Sequence, residues 1–200
     1  MSEQNESSLY KEQRKTKPKI EDVIAETLDG DARREALDFA AYLRENKMSP
    51  VWTSANSWKC GYKGQGVCYI RLYGTQWGHT SGPDAWSVTL YGDNSEEYNE
   101  FVVNGNYRDI VWNSRASKKC FRCQPQRCAP KGQQDTFMGH KMVFFGKEFE
   151  NACCNGDHGF SNPDERTLGY IKGAIDVRRQ RIKNGTCPKS SMECPVVIKG

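Results

Sequence analysis

Three of the nine cysteines in this 200-residue chain lie within nine positions of one another, at Cys120, Cys123 and Cys128. A Cys-x2-Cys turn, such as the one that Cys120 and Cys123 would form, directs two thiolates at one point. Zinc prefers soft, deprotonated sulfur ligands in a tetrahedral arrangement. The spacing therefore predicts a structural zinc ion bound by these three cysteines and one later ligand.

The fourth ligand is expected from a distal pair of cysteines, and we assign it to Cys153, with Cys154 and His158 as alternatives. Iron in place of zinc stays open, although the spacing does not match the cysteine runs that hold clusters in ferredoxins. The other interpretation is that the same cysteines are free or redox-active thiols. A lone Cys-x2-Cys pair does not decide between these alternatives.

Residues suited to catalysis are few. The chain has three histidines, His79, His140 and His158, in polar or glycine-rich stretches, and none lies beside a serine or cysteine nucleophile in a known arrangement. A zinc site built mainly from cysteine is closed, whereas a catalytic zinc keeps one position open. The sequence therefore leans toward a protein that is not an enzyme, without excluding one.

Aromatic residues are concentrated on the predicted strands. Three of them, Trp58, Tyr69 and Trp86, are candidates to line a pocket for a planar or hydrophobic ligand. In the simpler interpretation they fill the core beneath the helices, because aromatic residues are favoured on strands in any case. The expected partner is thus a small ligand or a protein whose identity the sequence does not give.

The elements that must position these residues indicate an α+β fold, in which helices pack on a small antiparallel sheet. A hairpin is predicted from three features: the alternation of Trp58, Cys60 and Tyr62 with other residues, a turn at residues 63–66, and a returning strand from Val67. A third strand is predicted over residues 85–91. Patterning and cap signals predict helices over about 20–28, 32–46, from 96, over 107–117 and from 163 to 183.

One folded domain is predicted over residues 20–185, with the cysteine-rich metal-binding insertion at 120–154. Residues 1–19 are polar and have almost nothing to bury, which predicts a disordered N-terminal tail. Residues 186–200 predict a C-terminal tail.

The last helix carries the clearest end signals. Asn162 is expected as its N-cap, and Asn184-Gly185 as its stop. Its final turns are crowded with basic residues, namely Arg178, Arg179, Arg181 and Lys183. In the simpler interpretation they complement the helix dipole. Contact with nucleic acid is the alternative, which the net charge of +4 allows but does not favour.

Neither a membrane segment nor a secretion signal is evident. The longest apolar run is Val143-Phe144-Phe145, far below the roughly 20 residues that a spanning helix needs. Residues 1–19 lack the apolar segment of a signal peptide. We therefore expect a cytoplasmic protein without a membrane partner, and in that compartment cysteines are more often thiols or metal ligands than disulfides.

Several segments form a recognisable set: KMSP at 47–50, NSW at 56–58, GVCYI at 66–70, the Cys120/Cys123/Cys128-Ala129-Pro130 cluster, GKEF at 146–149 with Cys153, and NPD at 162–164. Over residues 20–183 the chain resembles a family of uncharacterised bacterial proteins, mainly from anaerobic Gram-positive species. Members stand alone or follow AraC-type or GyrI-like effector-binding regulators. The family reads Cys-x2-Cys-x2-Cys, whereas four residues separate Cys123 from Cys128 here.

The order of elements is also similar to the small α+β domains of the YjbR and YdhG type, a likeness of fold that carries no function by itself. The leading hypothesis is a non-enzymatic, zinc-stabilised ligand-binding or sensor domain, linked to regulation or stress response. One alternative is a thiol-redox or metal-handling protein that uses the cysteine cluster. The other is a nucleic-acid-binding protein that uses the basic last helix.

Overall fold

The computed structural model describes residues 3–72, 86–93, 95–115, 140–152 and 158–187. Most of the cysteine-rich insertion predicted at 120–154 lies outside these residues. The helices described are α1 (Glu3–Thr16), α2 (Ile20–Thr27), α3 (Gly30–Glu45), α4 (Glu96–Asn104), α5 (Arg108–Arg115) and α6 (Glu165–Asn184). The strands described are β1 (Val51–Ser54), β2 (Ser57–Tyr62), β3 (Gln65–Leu72), β4 (Trp86–Leu90), β5 (His140–Phe144), β6 (Lys147–Ala152) and β7 (His158–Ser161). The α+β class predicted from the sequence is confirmed.

The chain divides into two compact units. The first comprises α1–α3, β1–β4, α6 and nearly all of β7, and the second comprises α4, α5, β5 and β6. Where the sequence predicts one domain over 20–185, the structure thus separates the segment between β4 and β7 as a unit of its own.

The first unit is built on a five-stranded sheet with the order β1-β2-β3-β4-β7. The hairpin of β2 and β3 is confirmed, with Tyr62 paired to Gln65 around a two-residue turn. Both turn residues have positive φ, +46° at Lys63 and +81° at Gly64. Such turns match the right-handed twist of the strands that they join.

One face of this sheet is the core of the first unit. Trp58, Ile70 and Val88 are successive cross-strand partners, and all three are buried. Phe39 of α3 lies against Trp86, with their ring centroids 6.2 Å apart. The apolar stripes of three helices complete the core, and their largest members are Ile20, Ile24, Leu43, Tyr170 and Ile171.

The N-terminus differs from the predicted disordered tail, because residues 3–16 form α1. Gln13 is buried and anchors the helix: its side-chain N–H donates to Asn56 Oδ1 at 2.7 Å. Its carbonyl oxygen accepts from the Trp52 indole at 3.2 Å and from the Asn56 backbone N–H at 2.8 Å. The Tyr10 and Trp52 rings, with centroids 5.9 Å apart, add an apolar contact. The docking thus relies on a few specific contacts, of which composition alone gives no signal.

The expected caps are partly right. Gly185 ends α6 in the left-handed conformation, as predicted. Asn162 as the N-cap of α6 is wrong, because Asp164 caps the helix and accepts from the Thr167 N–H at 2.8 Å. Asn162 instead joins strand β4, where its Oδ1 accepts from the Trp86 N–H at 2.9 Å and its own N–H donates to the Trp86 carbonyl at 2.8 Å.

The second unit pairs β5 with β6 as an antiparallel hairpin around Phe145-Gly146. Ser95 caps α4 by accepting from the Tyr98 N–H, as expected for a helix that begins at Glu96. The Trp112 indole of α5 donates to the Phe144 carbonyl at 2.8 Å, and the Lys147 ammonium lies 5.3 Å from the centre of the Trp112 ring. These contacts fasten α5 to the hairpin.

Candidate functional site

The predicted metal ligands Cys120, Cys123, Cys128 and Cys153 lie outside the described residues, as does Cys154. His158 begins β7. Within the part of the chain that the structure describes, no three His, Cys, Asp or Glu residues are grouped so that they could hold a metal ion. The zinc site therefore stays a prediction.

The three aromatic residues expected at a ligand pocket are not brought together. Trp58 and Trp86 are fully buried on the core face, which is the simpler of the two interpretations of these tryptophans. Tyr69 pairs with Lys59 and Thr89 and so lies on the opposite face of the sheet. Strand alternation explains the separation, since successive side chains point to opposite faces.

A polar pocket of about 240 Å³ opens elsewhere in the first unit, where the ends of α3 and β2 meet the last turns of α6. We call it the helix-end pocket. Its lining consists of Glu45, Asn46, Lys47, Tyr62, Arg179, Gln180 and Lys183. The sequence indicates Arg179 and Lys183 only as members of the basic run of the last helix, and it gives no role to Lys47.

The α3 wall of this pocket is a tight helix end. The Lys47 N–H donates to the Arg44 carbonyl at 3.0 Å, and the Met48 N–H donates to the Leu43 carbonyl at 2.8 Å. This pattern is a Schellman motif, whose left-handed position is usually glycine. Here that position is Lys47, with φ +62°. Met48 and Leu43 are both fully buried, and their packing in the core fixes the turn.

The α6 wall is anchored to the hairpin and to α3 by two adjacent arginines. Arg178 is buried, and its Nε donates to the Gly66 carbonyl at 2.9 Å. The Arg179 guanidinium donates to Asn46 Oδ1, and it also lies 3.1 Å from the Asp176 carboxylate. Since Asn46 is the C-cap of α3, Arg179 joins the two helix ends directly.

A tyrosine one turn earlier reinforces this joint. The Tyr42 hydroxyl donates to the Lys172 carbonyl on α6 at 3.0 Å. Burial raises the pKa of Tyr42 above its ordinary value, and the neighbouring Asp176 carboxylate raises this pKa further. The hydroxyl therefore stays protonated and remains a donor. Its hydrogen bond to Lys172 holds α3 and α6 together beside the pocket.

The pocket favours an anionic group on electrostatic grounds. Its lining carries three cations, at Lys47, Arg179 and Lys183, and one carboxylate, at Glu45. Asp176 offsets Arg179 at 3.1 Å, and each of the two helix C-termini adds about half a negative charge. The attraction for an anion therefore rests mainly on Lys47 and Lys183. The balance suits a ligand with a single negative charge rather than a polyphosphate. None of the lining residues described is a cysteine, serine or histidine.

The basic run of α6 is largely engaged inside the first unit. Arg178 and Arg179 bind Gly66 and Asn46, and the Arg181 Nη2 donates to the Thr186 carbonyl at 3.0 Å. Lys183 is exposed and lines the pocket. Contact of this run with nucleic acid stays a prediction.

No protein-family model, curated protein or solved structure matches this chain. The resemblance to the bacterial cysteine-cluster family therefore stays a prediction. None of the helices in the described part of the chain has the length and apolar content needed to cross a bilayer.

Proposed function

We propose that this chain is a non-enzymatic, cytoplasmic ligand-binding or sensor domain that binds a small organic carboxylate in the helix-end pocket. The observation that carries the proposal is the lining itself, in which three cations, two amide side chains, one carboxylate and one tyrosine line a small pocket. A structural zinc at Cys120, Cys123, Cys128 and Cys153 belongs to the same proposal as a stabiliser of the intervening segment.

The pocket chemistry narrows the ligand class. A cavity of about 240 Å³ is below the range that drug-sized molecules occupy, so the ligand is small. Arg179 is already held by Asn46 and Asp176, and such preorganisation lowers the entropic cost of binding. Tyr62 is half-buried and offers a ring for an apolar or planar portion of the ligand.

Lys47 supports the proposal independently of the charges. A non-glycine residue in the left-handed conformation costs roughly 1 kcal/mol or more, and such residues cluster at functional sites. Glycine would end α3 with less strain, as Gly185 does for α6. Lysine at this position places an ammonium group in the lining of the pocket.

The test is titration of the full chain with acetate, benzoate and inorganic phosphate, followed by amide chemical shifts in NMR. We expect the two carboxylates to shift the amides of Lys47, Tyr62 and Gln180 in a saturable manner, with benzoate binding more tightly than acetate. Phosphate binding that exceeds both would sink the assignment to a carboxylate. Absence of saturable shifts with every anion would remove the pocket as a ligand site.

A matched pair of charge reversals tests the site. Lys183→Glu and Lys15→Glu each reverse one exposed lysine in the last turn of a helix, so their cost to the helix dipole is similar. We expect Lys183→Glu to weaken carboxylate binding about tenfold and Lys15→Glu to leave it within about twofold. Equal losses in both variants would mean that binding follows net charge only.

The zinc portion has a separate test. We expect about one zinc per chain in metal-replete protein, and loss of that zinc in Cys120→Ser and Cys123→Ser. Wild-type protein without stoichiometric metal would refute the zinc site and leave the helix-end pocket unaffected.

A further inference from the structure

Two cysteines of the first unit face each other across the central hairpin. Cys60 on β2 and Cys68 on β3 are direct cross-strand partners, and both are fully buried. Both are free thiols, and their pairing places the two side chains side by side on the core face of the sheet. The sequence alone favours treating each as a small buried hydrophobe.

The register brings the two cysteines within the Cα separation that a disulfide can span. Directly opposed residues in antiparallel strands have Cα atoms about 4.5 to 5.5 Å apart. Disulfides span Cα separations of about 4.4 to 6.8 Å. A cross-strand pair such as Cys60 and Cys68 therefore falls within the range whichever type of pairing it has.

Oxidation of the pair requires local opening at the end of the hairpin, because both thiols are fully buried. The register shifts between Cys60 and Gly61, which marks a bulge, and Gly61 pairs with Gly66. Gly61 and Gly66 carry no side chains, but Cys60, Cys68 and the neighbouring Val67 are buried. A small reagent therefore reaches the sulfur atoms only when this end of the hairpin opens locally.

We propose that Cys60 and Cys68 form a reversible two-electron redox pair, with a low-molecular-weight disulfide such as oxidised glutathione as the oxidant. The Cys60 thiolate attacks one sulfur of the oxidant, a mixed disulfide forms and one glutathione thiolate leaves. The Cys68 thiolate then attacks the Cys60 sulfur, the protein disulfide forms and the second glutathione leaves. Two protein thiols are thereby oxidised and one glutathione disulfide is reduced to two glutathione thiols, with the protons passing to them.

The surroundings of the two thiols predict that this thiol–disulfide exchange is slow. Burial raises the pKa of the Cys68 thiol, and its hydrogen bond with Cys60 raises this pKa further. Since the thiolate is the attacking species, exchange in the closed hairpin is slow and rises with the fraction of open hairpin. The disulfide, once formed, holds β2 and β3 in their present register.

The experiment equilibrates the folded, full-length chain in glutathione buffers of increasing oxidised fraction, blocks remaining thiols under denaturing conditions and maps the tryptic peptides. Trypsin cleaves after Lys59, Lys63 and Arg71, so each of the two cysteines lies in its own peptide, residues 60–63 and 64–71. We expect one cross-linked species of these two peptides, which reduction converts back to the separate peptides.

Cys60→Ala and Cys68→Ala are the matched variants. We expect the remaining cysteine of each to acquire glutathione at less than about a tenth of the extent to which the wild-type pair is oxidised, because the intramolecular step is lost. Recovery of Cys60 and Cys68 as fully blocked thiols from folded wild-type protein at every buffer composition would overturn the proposal. Cross-links of either residue only to other cysteines would also overturn it. If the alanine variants do not fold, the wild-type peptide map decides alone.

Discussion

The C-terminal ends of α3 and α6 both line the helix-end pocket, and both end in the same backbone motif. They differ in the residue that takes the left-handed position of this motif. At the end of α6, the Gly185 N–H donates to the Ile182 carbonyl and the Thr186 N–H donates to the Arg181 carbonyl. At the end of α3, Lys47 and Met48 make the same two bonds. Glycine takes the left-handed position in one helix and lysine takes it in the other.

The two ends also differ in the burial of the residue after the left-handed position. Met48 after Lys47 is fully buried, whereas Thr186 after Gly185 is exposed. The α3 end is therefore fixed by packing, which compensates for a strained lysine, while the α6 end is fixed by glycine and by the Arg181–Thr186 hydrogen bond.

The largest expected effect comes from the buried anchor. Met48→Ala should lower the free energy of unfolding of the first unit by about 2–5 kcal/mol, because it leaves a cavity beside Leu43. Thr186→Ala, at the equivalent exposed position, should change it by less than about 0.5 kcal/mol. Urea unfolding of both variants measures the contrast, and similar values for the two would show that the α3 end has no special dependence on packing.

The next largest effect is expected at Gly185, which ends α6. Gly185→Ala should lower the free energy of unfolding by about 1 kcal/mol, because alanine is disfavoured at φ +75°. No atom lies within 4 Å of the added Cβ position, so the cost is conformational and not steric. Thermal unfolding with and without the substitution provides the measurement; a change below about 0.3 kcal/mol would contradict the role given to glycine here.

A salt bridge at the end of α3 gives a pH-dependent contrast. Arg44 donates from Nη2 to Glu21 Oε2 at 2.8 Å, and this hydrogen bond lowers the pKa of Glu21. Because the folded-state pKa is depressed, the stabilisation is present above the ordinary glutamate pKa near 4.3 and is lost as the pH falls through the folded value.

Both side chains of this pair are substantially exposed, so the effect is small. Glu21→Gln should cost about 0.5 kcal/mol at neutral pH, and the difference from wild type should vanish in acid and shrink in high salt. Urea unfolding at pH 7 and pH 3 tests this expectation. A difference that persists at pH 3 would assign the effect to packing.

The substitution of Lys47 has a small effect on stability but gives the most information about function. Lys47→Gly should stabilise the chain by ~0.5 kcal/mol by relieving the left-handed lysine, yet weaken carboxylate binding. Lys63→Gly is the matched control, since Lys63 is also left-handed, with φ +46°, and lies outside the pocket lining. Stabilisation in both variants with binding loss only in Lys47→Gly is the expected result. Unchanged carboxylate affinity in Lys47→Gly would remove the functional reason for lysine at this position.

Local signals predict local structure well in this chain. The alternation around Lys63-Gly64 predicts the hairpin, and Gly185 predicts the end of α6, because each depends on neighbouring residues only. The α1 helix escapes sequence-based prediction because the Gln13 hydrogen bonds reach residues about 40 positions away. The pocket escapes it for the same reason, since its walls come from three elements that are distant in sequence.

The Asn162–Trp86 link has a consequence for the order of folding. It joins residues 76 positions apart, whereas Trp58 and Ile70 in the central hairpin are 12 apart. Each doubling of a closed loop costs about 0.6 kcal/mol of chain entropy, so this closure costs roughly 1.5 kcal/mol more than that of the hairpin. β7 is therefore expected to join the sheet last. Until it does, β4 is an unprotected edge strand, exposed to pairing with another copy of the chain.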